Sequence, residues 1–282
     1  MILFKKTEQL IPYLESLKSR GLSIGFVPTM GALHQGHLSL IEASRRQTDI
    51  TVASIFVNPT QFNNPDDFNK YPVLPEKDIL LLEQSGCDIL FMPSVATIYP
   101  NGTGNGIHYE LGMLETVWEG AFRPGHFQGV CRVMDRLLQV VQPQRLFMGQ
   151  KDYQQCMVVQ QLIEQLHLPV KLVTCPTLRE QDGLAMSSRN LRLNHQERIA
   201  AVALSKALFT IKEKLQPENL SLLLKEAGDL LTNHNFRIDY ITIVNASTLA
   251  PVQDWNGKEK LVALIAAFQN DIRLIDNMLL NE

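Results

Sequence analysis

Residues 22–37 read LSIGFVPTMGALHQGH. The first six residues form a short apolar run, which predicts a buried strand that enters a Pro-Thr turn. A helix is expected to follow from about Gly36 to Gln47, and Gly31 and Gly36 let the backbone approach a ligand closely. Ligands of open α/β sheets bind where strand ends meet helix starts. A helix start also offers free N–H groups to phosphate, so this turn is a candidate nucleotide site.

Outward from this turn, strand-like and helix-like segments alternate over the first two thirds of the chain. Apolar or β-rich runs predict further strands at Thr51–Val57, Asp88–Met92, Arg145–Met148 and Val170–Cys175. Helices are predicted between them at Pro75–Ser85, His126–Val141 and Asp152–Leu166. This alternation predicts an α/β fold with a doubly wound parallel sheet of the Rossmann-like type.

The pattern changes near Pro176. Two long amphipathic helices are predicted at His195–Leu215 and Glu218–Asn235, followed by β-like runs at Ile238–Val244 and Leu261–Phe268. Helices followed by strands indicate a separate domain of the α+β class. We therefore predict a Rossmann-like domain at residues 1–176 and a smaller C-terminal α+β domain at residues 177–282.

Composition narrows the class of protein. Hydrophobic residues make up 45% and charged residues 20% of the 282 residues, as in a globular protein with a core. The net charge of −3, without a basic stripe, argues against a nucleic-acid partner. The sequence shows neither a signal peptide nor the roughly 20 apolar residues of a membrane span, so we expect a cytoplasmic protein. The four cysteines include no CxxC pair and predict no metal site.

His34 and His37 carry the strongest functional signal. Their spacing places both rings at the helix start, on the side of incoming phosphates. HxGH after a strand resembles the signature of the nucleotidyl-transferase superfamily, and the alternative is a pair of surface histidines at a helix cap. A P-loop enzyme is excluded because no GxxxxGK[ST] occurs. The glycine-rich residues 101–106 precede no convincing helix, so we interpret them as a flexible loop.

Two further segments follow predicted strands. Residues 147–155, FMGQKDYQQ, offer Lys151 to a phosphate and Asp152 to ribose hydroxyls, and Gln155 lies one helical turn further on. The alternative is a capped helix with a solvated lysine. Residues 56–62, FVNPTQF, offer the amides of Asn58 and Gln61 to a neutral or anionic substrate. The alternative there is an ordinary turn.

Residues 186–190, MSSRN, follow the predicted domain boundary. Arg189 can neutralise phosphate charge, and the serine hydroxyls can donate hydrogen bonds to phosphate oxygens. Alone, such a segment is typical of a solvated turn. Paired with HxGH, it resembles the mobile basic loop with which members of the superfamily close over the triphosphate.

Six motifs in this order resemble the pantothenate synthetase family, at residues 28–37, 56–62, 123–130, 147–155, 186–190 and 273–277. The resemblance implies that residues 1–176 bind ATP and pantoate and that residues 177–282 form a lid. It implies His37, His34, Lys151 and Arg189 as catalytic residues, with His37 as a proton donor. The implied pantoate and β-alanine site comprises Gln61, Gln155, Asn58 and Arg123. The implied ATP contacts are Met30, Gly31, Ala32, Leu33, His34, Gln35, Gly36, His37, Gly149, Gln150, Lys151, Asp152, Leu178, Met186, Ser187, Ser188 and Arg189.

Two of these positions depart from the family pattern. The family usually has glutamate where this chain has Gln150 and often has valine where it has Leu178. A contact through the backbone would survive the change at Leu178, whereas a role for a carboxylate at Gln150 would not.

The resemblance also implies a reaction. The carboxylate of pantoate attacks the α-phosphorus of ATP, and the amine of β-alanine then attacks the acyl-adenylate, so that AMP and pyrophosphate are released. Mg²⁺ is expected on the triphosphate without a protein cage, and the assembly is expected to be a homodimer. A cytidylyltransferase, which would use CTP, and a fragment of a class I aminoacyl-tRNA synthetase remain alternatives. Comparing ATP with CTP tests the first, and a tRNA gel shift tests the second.

Overall fold

The computed structural model describes residues 1–104 and 106–281. Asn105, within the glycine-rich segment 101–106, and Glu282, the last residue of the predicted second domain, lie outside the described residues. The chain divides into two compact units, Met1–Pro176 and Thr177–Glu282. The ligands assigned to each unit remain predictions.

The first unit is built on a parallel sheet of six strands, which confirms the predicted fold class. The spatial order is β1-β4-β3-β2-β5-β6. From β2 the chain continues to β3 on one side, whereas β5 lies on the other side of β2. This reversal is the topological switch point at which such sheets bind ligands. The strands are β1 (Ile2–Phe4), β2 (Ile24–Thr29), β3 (Ile50–Ile55), β4 (Ile89–Phe91), β5 (Arg145–Gly149) and β6 (Lys171–Cys175).

Helices connect these strands and cover the sheet. Apolar side chains of α2, α4 and the strands form a shared core that includes Val27, Ile41 and Leu82, all fully buried. The helices are α1 (Thr7–Ser19), α2 (Gln35–Arg45), α3 (Pro65–Asn69), α4 (Pro75–Gln84), α5 (Val95–Ile98), α6 (Glu119–Phe122), α7 (His126–Val141) and α8 (Tyr153–Gln165). Short 3₁₀ turns occur at Pro59–Gln61, Gly112–Glu115 and Gln150–Asp152.

The second unit packs two helices against an antiparallel sheet, as the α+β prediction requires. Asn194 and Glu197 begin the first helix with a reciprocal capping box. Leu208, Leu231 and Ile265 lie in the core of this unit. Its elements are α9 (His195–Lys214), α10 (Leu220–Asn233), β7 (Phe236–Asn245), β8 (Leu261–Gln269) and β9 (Ile272–Leu279), with strand order β7-β8-β9.

The sequence patterns did not predict β1, α1 and β9. Strand β1 has only three residues, and Ile2 and Leu3 are exposed, so it lacks a buried face. Helix α1 contains Pro12, a residue that normally ends a helix. Strand β9 carries the charged Asp276 in a buried position, which interrupts its apolar pattern.

Strand β2 is also two residues longer at its end than predicted. Pro28 and Thr29 pair with Ser54 and Ile55 of β3, so the turn begins at Met30. Proline is tolerated here because β5 pairs with β2 only at Gly25 and Phe26, so Pro28 has a paired strand on one side alone. No helix in the described parts of the chain is long and apolar enough to cross a membrane.

Candidate active site

The turn from Met30 to Leu33 leaves β2 at the switch point. Gly31 and Ala32 both adopt left-handed conformations, with φ of +84° and +49°. Glycine suits position 31 because of this left-handed conformation and also because there is little space for a side chain. A Cβ at this position would lie 3.0 Å from Oδ2 of Asp78 and 3.2 Å from Cγ2 of Ile55. The turn is therefore tightly packed as well as sharply bent.

Asp78 of α4 holds this turn, although the sequence analysis did not identify it. Its two carboxylate oxygens accept hydrogen bonds from the backbone N–H groups of Ala32, at 2.8 Å, and Leu33, at 2.7 Å. Asp78 is 1% exposed and shares the buried face of α4 with Leu82. An aspartate four residues from a buried leucine is a charge on the apolar face of a helix. That pattern was the signal available in the sequence.

His34 and His37 meet at the start of α2, as the HxGH motif predicts. Nδ1 of His34 accepts a hydrogen bond from N–H of Gly36 at 3.1 Å, and Nδ1 of His37 accepts one from N–H of His34 at 3.3 Å. The ring centroids are 4.0 Å apart. Because each Nδ1 accepts, the proton of each neutral ring lies on Nε2. Each ring can therefore donate one Nε2–H hydrogen bond.

Both rings are neutral at pH 7. Burial, followed by the neighbouring His37 and Lys151, lowers the pKa of His34 to about 3, although Asp152 acts in the opposite direction. Burial and Lys151 lower the pKa of His37 to about 4. The role of His37 as a proton donor stays a prediction. Its neutral ring can donate a hydrogen bond from Nε2–H.

Lys151 and Asp152 lie near this histidine pair. Strand β5 ends at Gly149, and the 3₁₀ turn Gln150–Asp152 follows it. The charge of Lys151 lowers the pKa of both histidines, and that of Asp152 raises the pKa of His34, so these side chains share one electrostatic environment. Two motifs separated by more than 100 residues thus meet because β2 and β5 are neighbouring parallel strands.

The backbone amides of the turn are less available than the sequence analysis assumed. We expected free N–H groups at the helix start, yet those of Ala32 and Leu33 donate to Asp78. Those of His34 and Gly36 donate to the imidazole rings. These four amides already have acceptors within the protein, and the predicted contacts of this segment with ATP stay a prediction. Among the side-chain donors of this segment are the Nε2–H groups of His34 and His37.

Asn58 and Gln61 lie together after β3, and Asn58 is 1% exposed. The N–H of Thr60 donates to Oδ1 of Asn58, and Nδ2 of Asn58 donates to the carbonyl of Gly129 at 3.1 Å. These backbone partners determine the orientation of the Asn58 amide, because each has a single hydrogen-bonding role. The hydroxyl of Tyr99 donates to the same Oδ1 at 2.9 Å. Asn58 thus has protein partners at both ends of its amide.

The orientation of Asn58 determines that of Gln61. Nδ2 of Asn58 donates to Oε1 of Gln61 at 3.2 Å, so the amide nitrogen of Gln61 points the other way and lies 2.8 Å from Sδ of Met30. The amide group has two N–H donors, so one remains for a substrate. A predicted binding residue therefore presents a donor of defined direction. Whether Asn58 also touches substrate stays a prediction.

Arg123 supports the same segment through His126. Nη1 of Arg123 lies 3.1 Å from Nε2 of His126, and Nδ1 of His126 lies 2.7 Å from the carbonyl oxygen of Gln61. A guanidinium only donates, so Nε2 accepts and Nδ1–H donates to Gln61. Arg123 also forms an ion pair with Glu119 at 3.5 Å. Its contact with substrate stays a prediction.

Gln154 and Gln155 have different environments. The buried Gln154 donates to the carbonyls of Leu114 and Val117 and accepts from N–H of Glu119, so it supports the backbone. Gln155 is half-buried, and its side chain makes no hydrogen bond within residues 1–104 and 106–281. An amide with unused donors and acceptors suits the predicted role in substrate binding.

The remaining predicted positions belong to the second unit. Residues 178–186 form a hairpin in which N–H of Met186 donates to the carbonyl of Leu178 at 3.0 Å. Arg179 secures the hairpin through a bidentate pair with the buried Asp276 of β9, at 2.7 and 3.0 Å. Ser187 then accepts a hydrogen bond from N–H of Arg189 and begins the 3₁₀ turn Ser188–Arg192. The motif at residues 273–277 thus supports the segment that carries Met186–Arg189.

Comparison with known proteins identifies the family. The family model described as pantoate-beta-alanine ligase matches residues 2–279. The chain belongs to the pantoate-beta-alanine ligase family. Within it, a pantothenate synthetase of Cytophaga hutchinsonii is 43% identical over 99% of both chains. Another pantothenate synthetase, from Thermus thermophilus, is 44% identical over 90% of this chain and 92% of its own length.

Solved structures of the pantoate-beta-alanine ligase family share this fold. A crystal structure of pantothenate synthetase from Thermus thermophilus aligns over 100% of both chains with a TM-score of 0.90 and 40% identity. The pantoate-beta-alanine ligase of Francisella tularensis aligns over 99% of this chain and 97% of its own, with a TM-score of 0.83 and 36% identity. The latter structure is described as a complex with beta-gamma ATP and beta-alanine.

Proposed function

We propose that this protein condenses pantoate with β-alanine in an ATP-dependent reaction through a pantoyl-adenylate, releasing AMP and pyrophosphate. Family membership over residues 2–279 supports the reaction, and the complex of the Francisella relative supports both ATP and β-alanine as ligands. The structural observation that carries the proposal is the neutral histidine pair beside Lys151 at the switch point of the sheet.

The first step needs no nucleophile from the protein. Pantoate is already a carboxylate at neutral pH, since a carboxyl group has a reference pKa near 4. It can attack the α-phosphorus directly, so catalysis consists of positioning and charge neutralisation. In this proposal Lys151 supplies positive charge, and His34 and His37 donate Nε2–H hydrogen bonds to phosphate oxygens. Neutral donors stabilise developing charge without having to lose a proton.

Mg²⁺ would be carried on the triphosphate. No group of three or more His, Cys, Asp or Glu side chains that could hold a metal ion occurs among the described residues. Ions of this type commonly bind through substrate phosphates and retain water. The ion would neutralise phosphate charge, while Lys151 and the histidines act on the same oxygens.

Pantoate would bind through Gln61 and Gln155, with Asn58 and Arg123 in support. The N–H of Gln61 that remains available can hold the substrate carboxylate without adding charge, so the carboxylate stays nucleophilic. Leu178 and Met186–Arg189 are proposed ATP contacts on the basis of the family resemblance. A cytoplasmic location belongs to the same proposal.

Product analysis tests the reaction. Mixing the protein with ATP, Mg²⁺, pantoate and β-alanine should yield pantothenate with AMP and pyrophosphate in equal amounts, measured by mass spectrometry. Stoichiometric ADP would refute the adenylate route, and turnover with CTP in place of ATP would favour a cytidylyltransferase.

Lys151→Ala tests the site itself. Loss of one charge that acts in the transition state should lower kcat by on the order of 10²–10³-fold. Lys171→Ala provides a matched control, because Lys171 is an exposed lysine at the start of β6. Equal kcat values for the two folded variants would exclude Lys151 from the chemistry.

A further inference from the structure

The Asp78 carboxylate is buried in an unusual way. Within residues 1–104 and 106–281 it forms no ion pair with a lysine or arginine, and its hydrogen-bond donors are the backbone N–H groups of Ala32 and Leu33. Burying a charge is costly unless it is well hydrogen-bonded. Because the carboxylate is buried beside these two amides, we infer that the turn needs it as a hydrogen-bond acceptor.

The turn needs such support because of its backbone conformation. Ala32 has a φ of +49°, a left-handed conformation that is uncommon for a residue with a side chain. Residues persist in such conformations where contacts with the surrounding structure hold them in place. At Ala32 and Leu33, the two hydrogen bonds to Asp78 provide that restraint immediately before His34.

The same restraint extends to the histidine pair. N–H of His34, the next residue in the chain, donates to Nδ1 of His37. N–H of Gly36 then donates to Nδ1 of His34. A shift of the turn would therefore break the bonds that hold both rings and define their tautomers.

We propose that Asp78 is a positioning residue for the nucleotide chemistry: its carboxylate holds Ala32 and Leu33 and thereby directs the Nε2–H groups of His34 and His37. This inference rests on the proposed function, because it is the proposed ATP site that gives the direction of the rings a purpose. Asp78 touches neither substrate nor reacting atoms in this proposal.

A carboxylate suits this position because each of the two donors meets a different oxygen of Asp78. The amide of asparagine has one acceptor and one donor group, so Asp78→Asn would place an NH₂ group against a backbone N–H. The variant keeps the size of the side chain, which is important next to Gly31, because there is no space for a Cβ between Gly31 and Asp78. It therefore removes one hydrogen bond with little change of volume.

The test compares Asp78→Asn with Asp135→Asn. Asp135 is a buried carboxylate of α7 that accepts hydrogen bonds from the Tyr109 hydroxyl and the Gln139 amide, away from the turn. We expect Asp78→Asn to lower kcat/KM for ATP by about 10- to 100-fold, since small misplacements of catalytic groups have effects of this size. The pantoate KM should change by less than about twofold, and the control should leave both constants near wild type.

A spectroscopic readout separates positioning from a general loss of stability. Burial and the charge of Lys151 lower the pKa of His37 to about 4. A shift of the turn that exposes the ring or moves it away from Lys151 should therefore raise this pKa. NMR titration should show this rise in Asp78→Asn and not in Asp135→Asn. Unchanged histidine titration together with unchanged kcat/KM would overturn the proposal.

Two further measurements complete the test. If Asp78→Asn does not fold, amide hydrogen exchange in the wild-type protein decides, because Ala32 and Leu33 should be protected. Exchange at the rate of open amides would overturn the proposal.

Lys151→Ala and His37→Ala test the proposed function separately. If neither variant alters kcat/KM for ATP, the proposed function fails, whereas a histidine pKa that responds to Asp78→Asn still supports the positioning role.

Discussion

At the scale of single residues, burial determines the charge state of His34 and His37. Their pKa values of about 3 and about 4 lie below the ordinary 6.5. Between these values the unfolded chain binds more protons than the folded chain, so the free energy of unfolding rises with pH. The stability that the two neutral rings contribute is therefore present above pH 6.5 and is lost as the pH falls towards 4.

Urea denaturation at pH 7 and pH 5 should show this loss. We expect the difference in free energy of unfolding between the two pH values to shrink in a His34→Gln/His37→Gln double variant. His108→Gln, a change at an exposed histidine of the same unit, should retain the wild-type difference. A double variant with the wild-type pH dependence would contradict the assigned charge states.

Gln61 provides a second prediction at this scale. Replacing it with alanine should remove a hydrogen bond to pantoate at a cost of roughly 1–3 kcal/mol, or about a 5- to 150-fold loss in kcat/KM. ATP affinity should barely change. Calorimetric titration of each ligand measures both effects, and Gln160→Ala, at an exposed position of α8, is the control. Equal losses for ATP and pantoate would refute the proposed division of the site.

At the scale of elements, the start of α7 packs directly onto the turn that carries Gln61. A Cβ added at Gly129 would lie 2.0 Å from the carbonyl oxygen of Thr60 and 2.7 Å from Cα of Gln61. Backbone atoms of this kind cannot move aside as a flexible side chain would. The absence of a side chain at Gly129 therefore determines how closely the helix and the turn approach each other.

Gly129→Ala should consequently destabilise the protein by about 1–3 kcal/mol and raise the KM for pantoate, because the turn at Pro59–Gln61 must shift. Gly228→Ala is a matched control within a helix, since a Cβ there meets nothing within 4 Å. That change should stabilise α10 by about 0.5–1 kcal/mol through helix propensity. Thermal denaturation measures the stability of each variant, and steady-state kinetics measure its KM for pantoate. Equal effects of the two changes would disprove the packing argument.

At the scale of the whole molecule, the family resemblance leads us to propose a homodimer. Light scattering at micromolar concentration should give a mass of about twice the 31.9 kDa of one chain. Measuring across a range of concentrations distinguishes a stable dimer from a weak one, since dissociation follows mass action. A mass of one chain at micromolar concentration would count against this proposal.

The sequence by itself determined the class of the fold and the identity of most candidate residues. The parallel sheet follows from alternating strands and helices, and the HxGH and KDYQQ segments were found as motifs because each is local in the chain. Strand β1 was missed because it is short and lacks a buried face, and β9 because the buried Asp276 interrupts its apolar pattern. Strand β1 pairs with β4, and Asp276 of β9 pairs with Arg179.

Only the tertiary structure decided the charge states and hydrogen-bond directions of the candidate residues. The neutral state of His37 depends on burial and on Lys151, which lies more than 100 residues away in the chain. The roles of Asp78 and Tyr99 depend on hydrogen bonds across 45 and 41 residues, to Leu33 and Asn58. Such contacts have no periodic signature in the sequence, because they arise where separate elements meet. Local patterns specify elements and motifs, whereas charge state and hydrogen-bond direction are set by neighbours that only folding brings together.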